Sequence, residues 1–268
     1  MDNNIANKLI QIAQKQQELY EIGFDAGQDI GYTDGVLNGK KELLESFWED
    51  MAITINQNGV VADRTNYQYA FNNFTPEIFY PTKNLKMTYA NYSFDTFNKK
   101  GEYFDLKSRL EECGVKIDLS GCRDVSGMFL NSKIDIIPTL DLTGSNITTF
   151  NRVFNNAKVE TIEKLIFKSD GSQTIDNNAF NTTTLKNITF EGVIGVTVTF
   201  ANCTLLTKAS IESIISVLST TASGKSLTLS LTAVNNAFET SVGANDGSNS
   251  SEWQTLVNTR QNWTINLS

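Results

Sequence analysis

Apolar side chains near the start of the chain recur at a helical spacing. Four of them, with one glutamine, follow alternating steps of four and three residues: Ile5, Leu9, Ile12, Gln16 and Leu19. This spacing is the seam of a coiled coil. It predicts a helical stalk over residues 1–56 that self-associates. A homotrimer is the expected oligomer, although so short a seam does not set the number. A single amphipathic helix lying on its own domain is the alternative.

Glycine is the second periodic feature of this stalk. It occupies every fourth position in a run of five: Gly23, Gly27, Gly31, Gly35 and Gly39. Each glycine inside a helix costs about 1 kcal/mol relative to alanine, and close approach of two helix backbones would offset that cost. A frayed connector is the alternative.

From about residue 65 an aromatic side chain recurs, followed two positions later by asparagine. The aromatic residues are Phe71, Tyr89, Phe129, Phe154 and Phe200, and Phe180 keeps the ring without the asparagine. The steps from 129 to 154 and from 154 to 180 are 25 and 26 residues. Asparagine at this place suits a turn in which its amide bonds stacked backbone. We expect the rings of Phe154, Phe180 and Phe200 to be buried.

Short alternating apolar strands keep nearly the same period. They are Ile117/Leu119, Leu140/Leu142, Leu165/Phe167 and Ile188/Phe190, separated by 23, 25 and 23 residues. One repeat cannot bury its strand and ring alone, whereas stacked repeats share a continuous apolar interior. The pattern therefore predicts a leucine-rich-repeat-like parallel β-solenoid over residues 57–208, with Ile117, Leu140, Leu165 and Ile188 on adjacent strands. The longer step before Phe129 predicts an insertion around residues 98–114.

The last segment, residues 209–268, changes character and predicts a C-terminal cap of helix, strand, helix and strand. Its apolar positions are Ile211, Ile214, Ile215 and Leu218, then Leu227, Leu229 and Leu231, then Trp253, Leu256 and Val257, and finally Ile265 and Leu267. Asn249 with Glu252 is the expected capping pair of the second helix. Such a unit would cover the last open edge of stacked strands. The predicted fold class is thus α+β.

Charge and composition narrow the function. The 268 residues carry a formal net charge of −8 and include no histidine. An acidic surface without a basic stripe disfavours nucleic-acid binding. Without histidine, Ser-His-Asp and Cys-His catalysis are excluded. The carboxylate pairs Glu111/Glu112 and Asp135/Asp141 suit solvated helix faces or strand flanks better than an active site. We therefore predict no catalytic activity, no cofactor and no metal site.

The remaining residue types point in the same direction. Cys113, Cys122 and Cys203 are odd in number and lack metal-ligand spacing, so small buried side chains are expected. No run of 18 apolar residues occurs, which predicts no membrane insertion, and the start of the chain lacks the pattern of a signal peptide.

Exposed aromatic side chains are the expected binding surface. Tyrosines crowd between residues 65 and 105, and tryptophans stand in the last segment. Such rings provide a large contact area with a polar tip. The candidates are Tyr67, Tyr69, Tyr89, Tyr92, Trp253 and Trp263. The alternative is that most of the tyrosines cover the first repeat of the core.

Two segments resemble the BspA-like leucine-rich repeat, namely AFNTTTLKNITF at 179–190 and FANCTLL at 200–206. Cys203 stands where that repeat has cysteine, whereas Thr183 stands in the equivalent place after Phe180. The wider layout is similar to that of phage-encoded proteins from viruses of gut Firmicutes. It comprises a glycine-punctuated stalk ending in Phe47-Trp48-Glu49, BspA-like repeats, and a tail ending in Trp263-Thr264.

The resemblance implies a phage virion structural protein, such as a tail fibre or receptor-binding protein. Its N-terminal helix would attach to other virion proteins, and its repeats would bind a protein or glycan of the host cell surface. The protein would be made in the host cytoplasm and reside in the virion. A bacterial BspA-like surface adhesin is one alternative, and a virion-associated glycan-cleaving enzyme is another.

Overall fold

The computed structural model describes residues 67–68, 70–72, 79, 81, 84–98, 101–238 and 250–268. The predicted stalk, its seam residues Ile5, Leu9, Ile12 and Leu19, and Tyr69 lie outside these residues. Within the described part of the chain, no helix has the length and apolar character needed to cross a membrane.

The described residues form short strands and four helices, joined by turns and loops. Along the chain they are β1 (Leu85–Lys86), β2 (Phe104–Asp105), α1 (Leu106–Glu112), β3 (Ile117–Asp118), β4 (Ile134–Ile137), β5 (Leu140–Asp141), β6 (Thr149–Phe150), β7 (Thr161–Ile166), β8 (Thr174–Ile175), β9 (Asn187–Glu191), β10 (Val198–Phe200), α2 (Lys208–Ser216), β11 (Lys225–Leu229), α3 (Leu231–Phe238), α4 (Ser251–Asn258) and β12 (Trp263–Leu267). The predicted α+β class is confirmed.

The strands pair in parallel wherever the described residues form a sheet. The largest sheet has the order β2-β4-β7-β5, and β9 also pairs with β7. Leu140 pairs with Leu165 as predicted. Ile188 on β9 lies on the strand next to that of Leu165, as predicted, but its register partner is Ile162. Leu165 instead faces Phe190, because the register shifts between the two pairs and β7 accommodates one more residue than β9.

A stack of phenylalanine rings runs through the core. Neighbouring rings of Phe71, Phe94, Phe129, Phe154 and Phe180 have centroids 4.9 to 5.8 Å apart. Phe154, Phe180 and Phe200 are at most 1% exposed, which confirms their predicted burial. The ring that stacks on Phe129 belongs to Phe94, so the assignment of Tyr89 to this position of the repeat was wrong.

Asparagine side chains at the turns after these rings bond to one another. Asn156 Nδ2 donates to Asn131 Oδ1 over 2.8 Å, and Asn202 Nδ2 donates to Asn181 Oδ1 over 2.6 Å. Asn131 and Asn156 both adopt a left-handed backbone, with φ of 55° and 54°, which asparagine tolerates better than most residues. The amides thus link successive repeats side chain to side chain, where a bond to backbone was expected.

β11 and β12 of the C-terminal segment extend from β10 as a separate parallel sheet in the order β10-β11-β12. Ile211, Ile214 and Ile215 of α2 are buried as predicted. Leu231 begins helix α3 where a strand residue was expected, so the segment contains one more helix than predicted. Val234 and Phe238 follow it at steps of three and four residues and are buried, which explains the helix. The N-cap of α4 is Ser250, whose Oγ accepts from the Trp253 amide, and not Asn249.

Candidate functional site

Helix α1 occupies the insertion that the sequence predicted, and it separates β2 from β3. The Asp105 carboxylate caps the helix by accepting from the Ser108 amide over 2.8 Å. On the neighbouring repeat, β4 continues through Pro138 and Thr139 into β5. The chain between β2 and β3 is therefore longer than the chain between β4 and β5, and α1 lies beside the place where β3 and β5 are neighbours.

The parallel pairing is interrupted between β3 and β5. The two strands are neighbours, yet within the described residues β3 pairs only with β1 and β5 only with β7. Contact between the two backbones resumes beyond the strands, where the Gly121 amide donates to the Gly144 carbonyl over 2.9 Å. Ile117 consequently pairs with Leu85. Its strand is next to that of Leu140, as predicted, but no pairing joins the two strands within the described residues.

This interruption opens a cleft of about 480 Å³, within the range of small ligand sites. Aliphatic side chains line part of it: Leu110, Val115, Ile117, Leu119 and Pro138. Charged side chains line the rest: Lys107, Glu111, Lys116, Asp118, Asp141 and Glu163. None of the described residues that line the cleft is aromatic. We refer to this feature as the α1 cleft.

Glu163 connects β7 to the rim of the α1 cleft. Its Oε2 accepts from the Thr139 amide over 3.1 Å and from the Thr139 hydroxyl over 2.9 Å. Its Oε1 lies 3.8 Å from Lys107 Nζ, which also contacts Glu111 Oε1 over 2.7 Å. The hydrogen bond to Glu111 raises the pKa of Lys107, against a smaller opposing effect of desolvation. Lys107 is therefore a charged link between two carboxylates.

Asp118 and Asp141 occupy equivalent turns on β3 and β5. Asp118 Oδ1 accepts from the Ser120 amide, and Asp141 Oδ1 accepts from the Thr143 amide, each over 2.9 Å. Burial opposes ionisation of Asp118, but the Ser120 bonds and the nearby lysines outweigh it and lower the pKa of this carboxyl. Both side chains are held by local bonds, and Asp118 stays ionised to lower pH than a free aspartate.

The other carboxylates of interest lie elsewhere. Asp135, on β4, does not line the α1 cleft. Partial burial, followed by the like charges of Asp105 and Glu160, raises its pKa. Among the described residues, no group of three or more acidic or cysteine side chains is arranged to hold a metal ion. Cys122 and Cys203 are buried and all three cysteines are free, as expected, although Cys113 is only half-buried.

The predicted aromatic surface is only partly present. Tyr67, Trp253 and Trp263 are 8%, 3% and 6% exposed, so these three rings belong to the core and their assignment to a binding surface was wrong. Burial raises the pKa of Tyr67 accordingly. Trp253 packs against Phe238, and Trp263 Nε1 donates to the Ser219 carbonyl over 2.8 Å.

Tyr89 and Tyr92 are half-buried and remain candidates, outside the α1 cleft. The ring of Tyr92 lies over Gly127. A Cβ at that glycine would come within 2.5 Å of the ring, so the position has no room for a side chain.

The residues of the α1 cleft were not identified as a site from the sequence. A signal for them exists in the motif Asp-Leu-Ser/Thr-Gly, which occurs at 118–121 and again at 141–144. The same motif in adjacent repeats places two carboxylates at equivalent positions of neighbouring strands. The interruption itself could not be predicted, because it depends on where the helical insertion leaves and rejoins the sheet.

Comparison with known proteins adds no family to this description. No family model, curated protein or solved structure matches the chain.

Proposed function

We propose that the protein is a phage virion fibre or receptor-binding protein whose leucine-rich-repeat-like solenoid presents the α1 cleft to the host surface. The observation that carries the proposal is the cleft itself, which lies where pairing between neighbouring strands of the stacked core is interrupted. A stack of repeats offers an extended rigid surface, which suits recognition of a large partner. The resemblance of the wider layout to phage-encoded proteins, with a glycine-punctuated stalk, BspA-like segments at 179–190 and 200–206 and a tail ending in Trp263-Thr264, supports the virion role.

The stalk supplies attachment in this proposal. Residues 1–56 join the protein to other virion proteins, and the seam of Ile5, Leu9, Ile12 and Leu19 holds a homotrimer. Three copies of a weak site act together, because binding of the first copy raises the effective concentration of the others. Weak individual clefts are then sufficient for stable attachment to a host cell.

Binding without catalysis agrees with the chemistry of the cleft. A carboxylate acting as general acid or base near neutral pH needs a raised pKa. Asp118 has a lowered pKa, and Glu163 and Asp141 accept hydrogen bonds from neighbouring groups. This set of groups suits a fixed, negatively charged surface that attracts a partner and leaves it unchanged.

The virion role is tested by mass spectrometry of purified phage particles, where peptides from this chain are expected in stoichiometric amount. The binding role is tested by adding the purified full-length protein to host cells, where saturable attachment is expected. Absence from the particle with display on the bacterial surface would favour the adhesin alternative. Release of soluble sugar from host envelopes by the purified protein would favour the glycan-cleaving alternative.

A further inference from the structure

We infer that the α1 cleft receives the side chain of a lysine or arginine from a protein on the host surface. The inference rests on the proposed binding function and identifies the chemistry of the partner. It follows from the width of the cleft, from its aliphatic lining and from its charge.

The width of the cleft excludes an added strand. Cα atoms of β3 and β5 approach within 8 Å of each other. Neighbouring strands lie about 4.8 Å apart, so a third strand between them would need about 9.6 Å. A partner backbone therefore lies across the mouth of the cleft, and only a side chain enters.

The lining selects a flexible aliphatic chain over a sugar. Leu110, Val115, Ile117 and Pro138 provide apolar surface without any flat ring among the described residues that line the cleft. Sugar rings are commonly held against aromatic faces, whereas the methylene groups of lysine and arginine pack on aliphatic surface. The lining therefore favours a protein over a glycan as the partner on the host cell.

The rim selects a positive charge. Four carboxylates line the cleft, on Glu111, Asp118, Asp141 and Glu163, against the two ammonium groups of Lys107 and Lys116. Lys107 is shared between Glu111 and Glu163. Lys116 lies near Asp118, so each pair of carboxylates is only partly balanced by one lysine of the lining and the rim is negative overall. A cationic head group between Asp118 and Asp141 offsets part of that excess.

Direct binding is tested with a minimal probe, N-acetyl-lysine N-methylamide, added to the full-length protein. Amide resonances of Ile117 to Ser120 and of Thr139 to Thr143 are followed by NMR, and a dissociation constant on the order of millimolar is expected. The norleucine analogue, which keeps the aliphatic chain and removes the charge, should bind at least about threefold more weakly. Equal shifts with lysine and norleucine would overturn the inference, as would stronger shifts with glucosamine than with lysine.

Three Asp→Asn substitutions test whether the negative charge that binds lysine lies in the α1 cleft. Asp118→Asn and Asp141→Asn each remove one charge and keep an oxygen that can accept the turn bond. Each should weaken lysine binding about threefold, and together about tenfold. Asp170→Asn is the matched control, because Asp170 Oδ1 accepts from the Ser172 amide in the same kind of turn away from the cleft. Equal losses in all three variants would contradict a local site.

The same variants separate this inference from the proposed function. If wild-type protein attaches to host cells and the double variant attaches equally well, the function stands and the lysine site is wrong. If wild-type protein does not attach to host cells while the lysine probe binds and the double variant loses that binding, the site stands and the function is wrong.

Discussion

The rings of Phe180 and Phe200 stack with their centroids 4.5 Å apart and their planes inclined by 27°. Both side chains are essentially inaccessible to solvent. This pair joins the central repeats to the C-terminal sheet, because Phe200 ends β10, the strand that pairs with β11. The stack of phenylalanines is thus one of the contacts that join the central repeats to this sheet, beside the packing of α2 on β9.

Truncation of this stack should destabilise the whole protein. Phe180→Ala removes a buried ring and leaves a cavity, so the free energy of unfolding should fall by about 3–5 kcal/mol. Tyr103→Ala is the control, because that ring is 55% exposed and its loss should change stability by less than about 0.5 kcal/mol. Urea unfolding followed by circular dichroism measures both. Equal midpoints for the two variants would contradict the stacked core.

Gly192 should be intolerant of a side chain. Its φ is 85°, and a Cβ would lie 2.1 Å from the Phe167 carbonyl oxygen, so Gly192→Ala must move the backbone that follows β7. Gly224→Ala is the control, because its φ is 63° but no atom lies within 4 Å of the added Cβ.

We expect a loss of about 1 kcal/mol for the control, from backbone strain alone, and a clearly larger loss for Gly192→Ala. Thermal unfolding measures the difference. Equal melting temperatures would show that the close approach of Gly192 to the Phe167 carbonyl does not limit the side chain at this position.

Thiol reactivity should report on unfolding. Burial raises the pKa of Cys122 to about 11 and that of Cys203 to about 12. At pH 8 both are then almost entirely protonated in the folded state, and the thiolate is the reactive form. Burial also raises the pKa of Cys113, but its side chain is half-buried.

Maleimide at pH 8 should therefore modify Cys113 first, and Cys122 and Cys203 only as the protein unfolds. Mass spectrometry of digested samples, with and without urea, gives the order. Modification of Cys203 before Cys113 in native buffer would contradict the burial described above.

The stalk should be responsible for oligomerisation. Deletion of residues 1–48 removes the seam of Ile5, Leu9, Ile12 and Leu19, and it should convert the predicted homotrimer into a folded monomer. Light scattering gives the mass, and circular dichroism reports whether the remaining chain is folded. A truncated protein that stays oligomeric would place the interface elsewhere.

Periodicity made the phenylalanine core predictable, because burial of a ring in each repeat leaves a regular trace in the sequence. It failed at Tyr89, which has the expected asparagine two positions later, whereas Phe94 supplies the stacked ring. A ring without a hydroxyl fits a fully apolar stack, and this preference outweighs the turn motif. The sequence pattern alone does not show whether the turn motif or the burial of an apolar ring decides which residue joins the stack.

The prediction for the tryptophans was wrong for a different reason. Trp253 and Trp263 were assigned to a surface because aromatic residues are common in binding sites, but each has a specific partner in the core. The indole of Trp263 donates to the carbonyl of Ser219, which lies 44 residues earlier in the chain. Contacts between such distant residues depend on the final packing of α4 and β12, and no local spacing reveals them.

Helix α1 lengthens one repeat without disturbing the rings on either side of it. Phe94 and Phe129 are 35 residues apart in sequence, yet their rings stack at 5.3 Å, much as Phe129 and Phe154 do at 5.6 Å with a separation of only 25 residues. The stacking of the rings is therefore nearly independent of the length of the segment that joins them. Substitution of the exposed positions of 106–116 should therefore leave the ring stack in place, as long as Leu106 and Leu110, which are buried in the core, are kept.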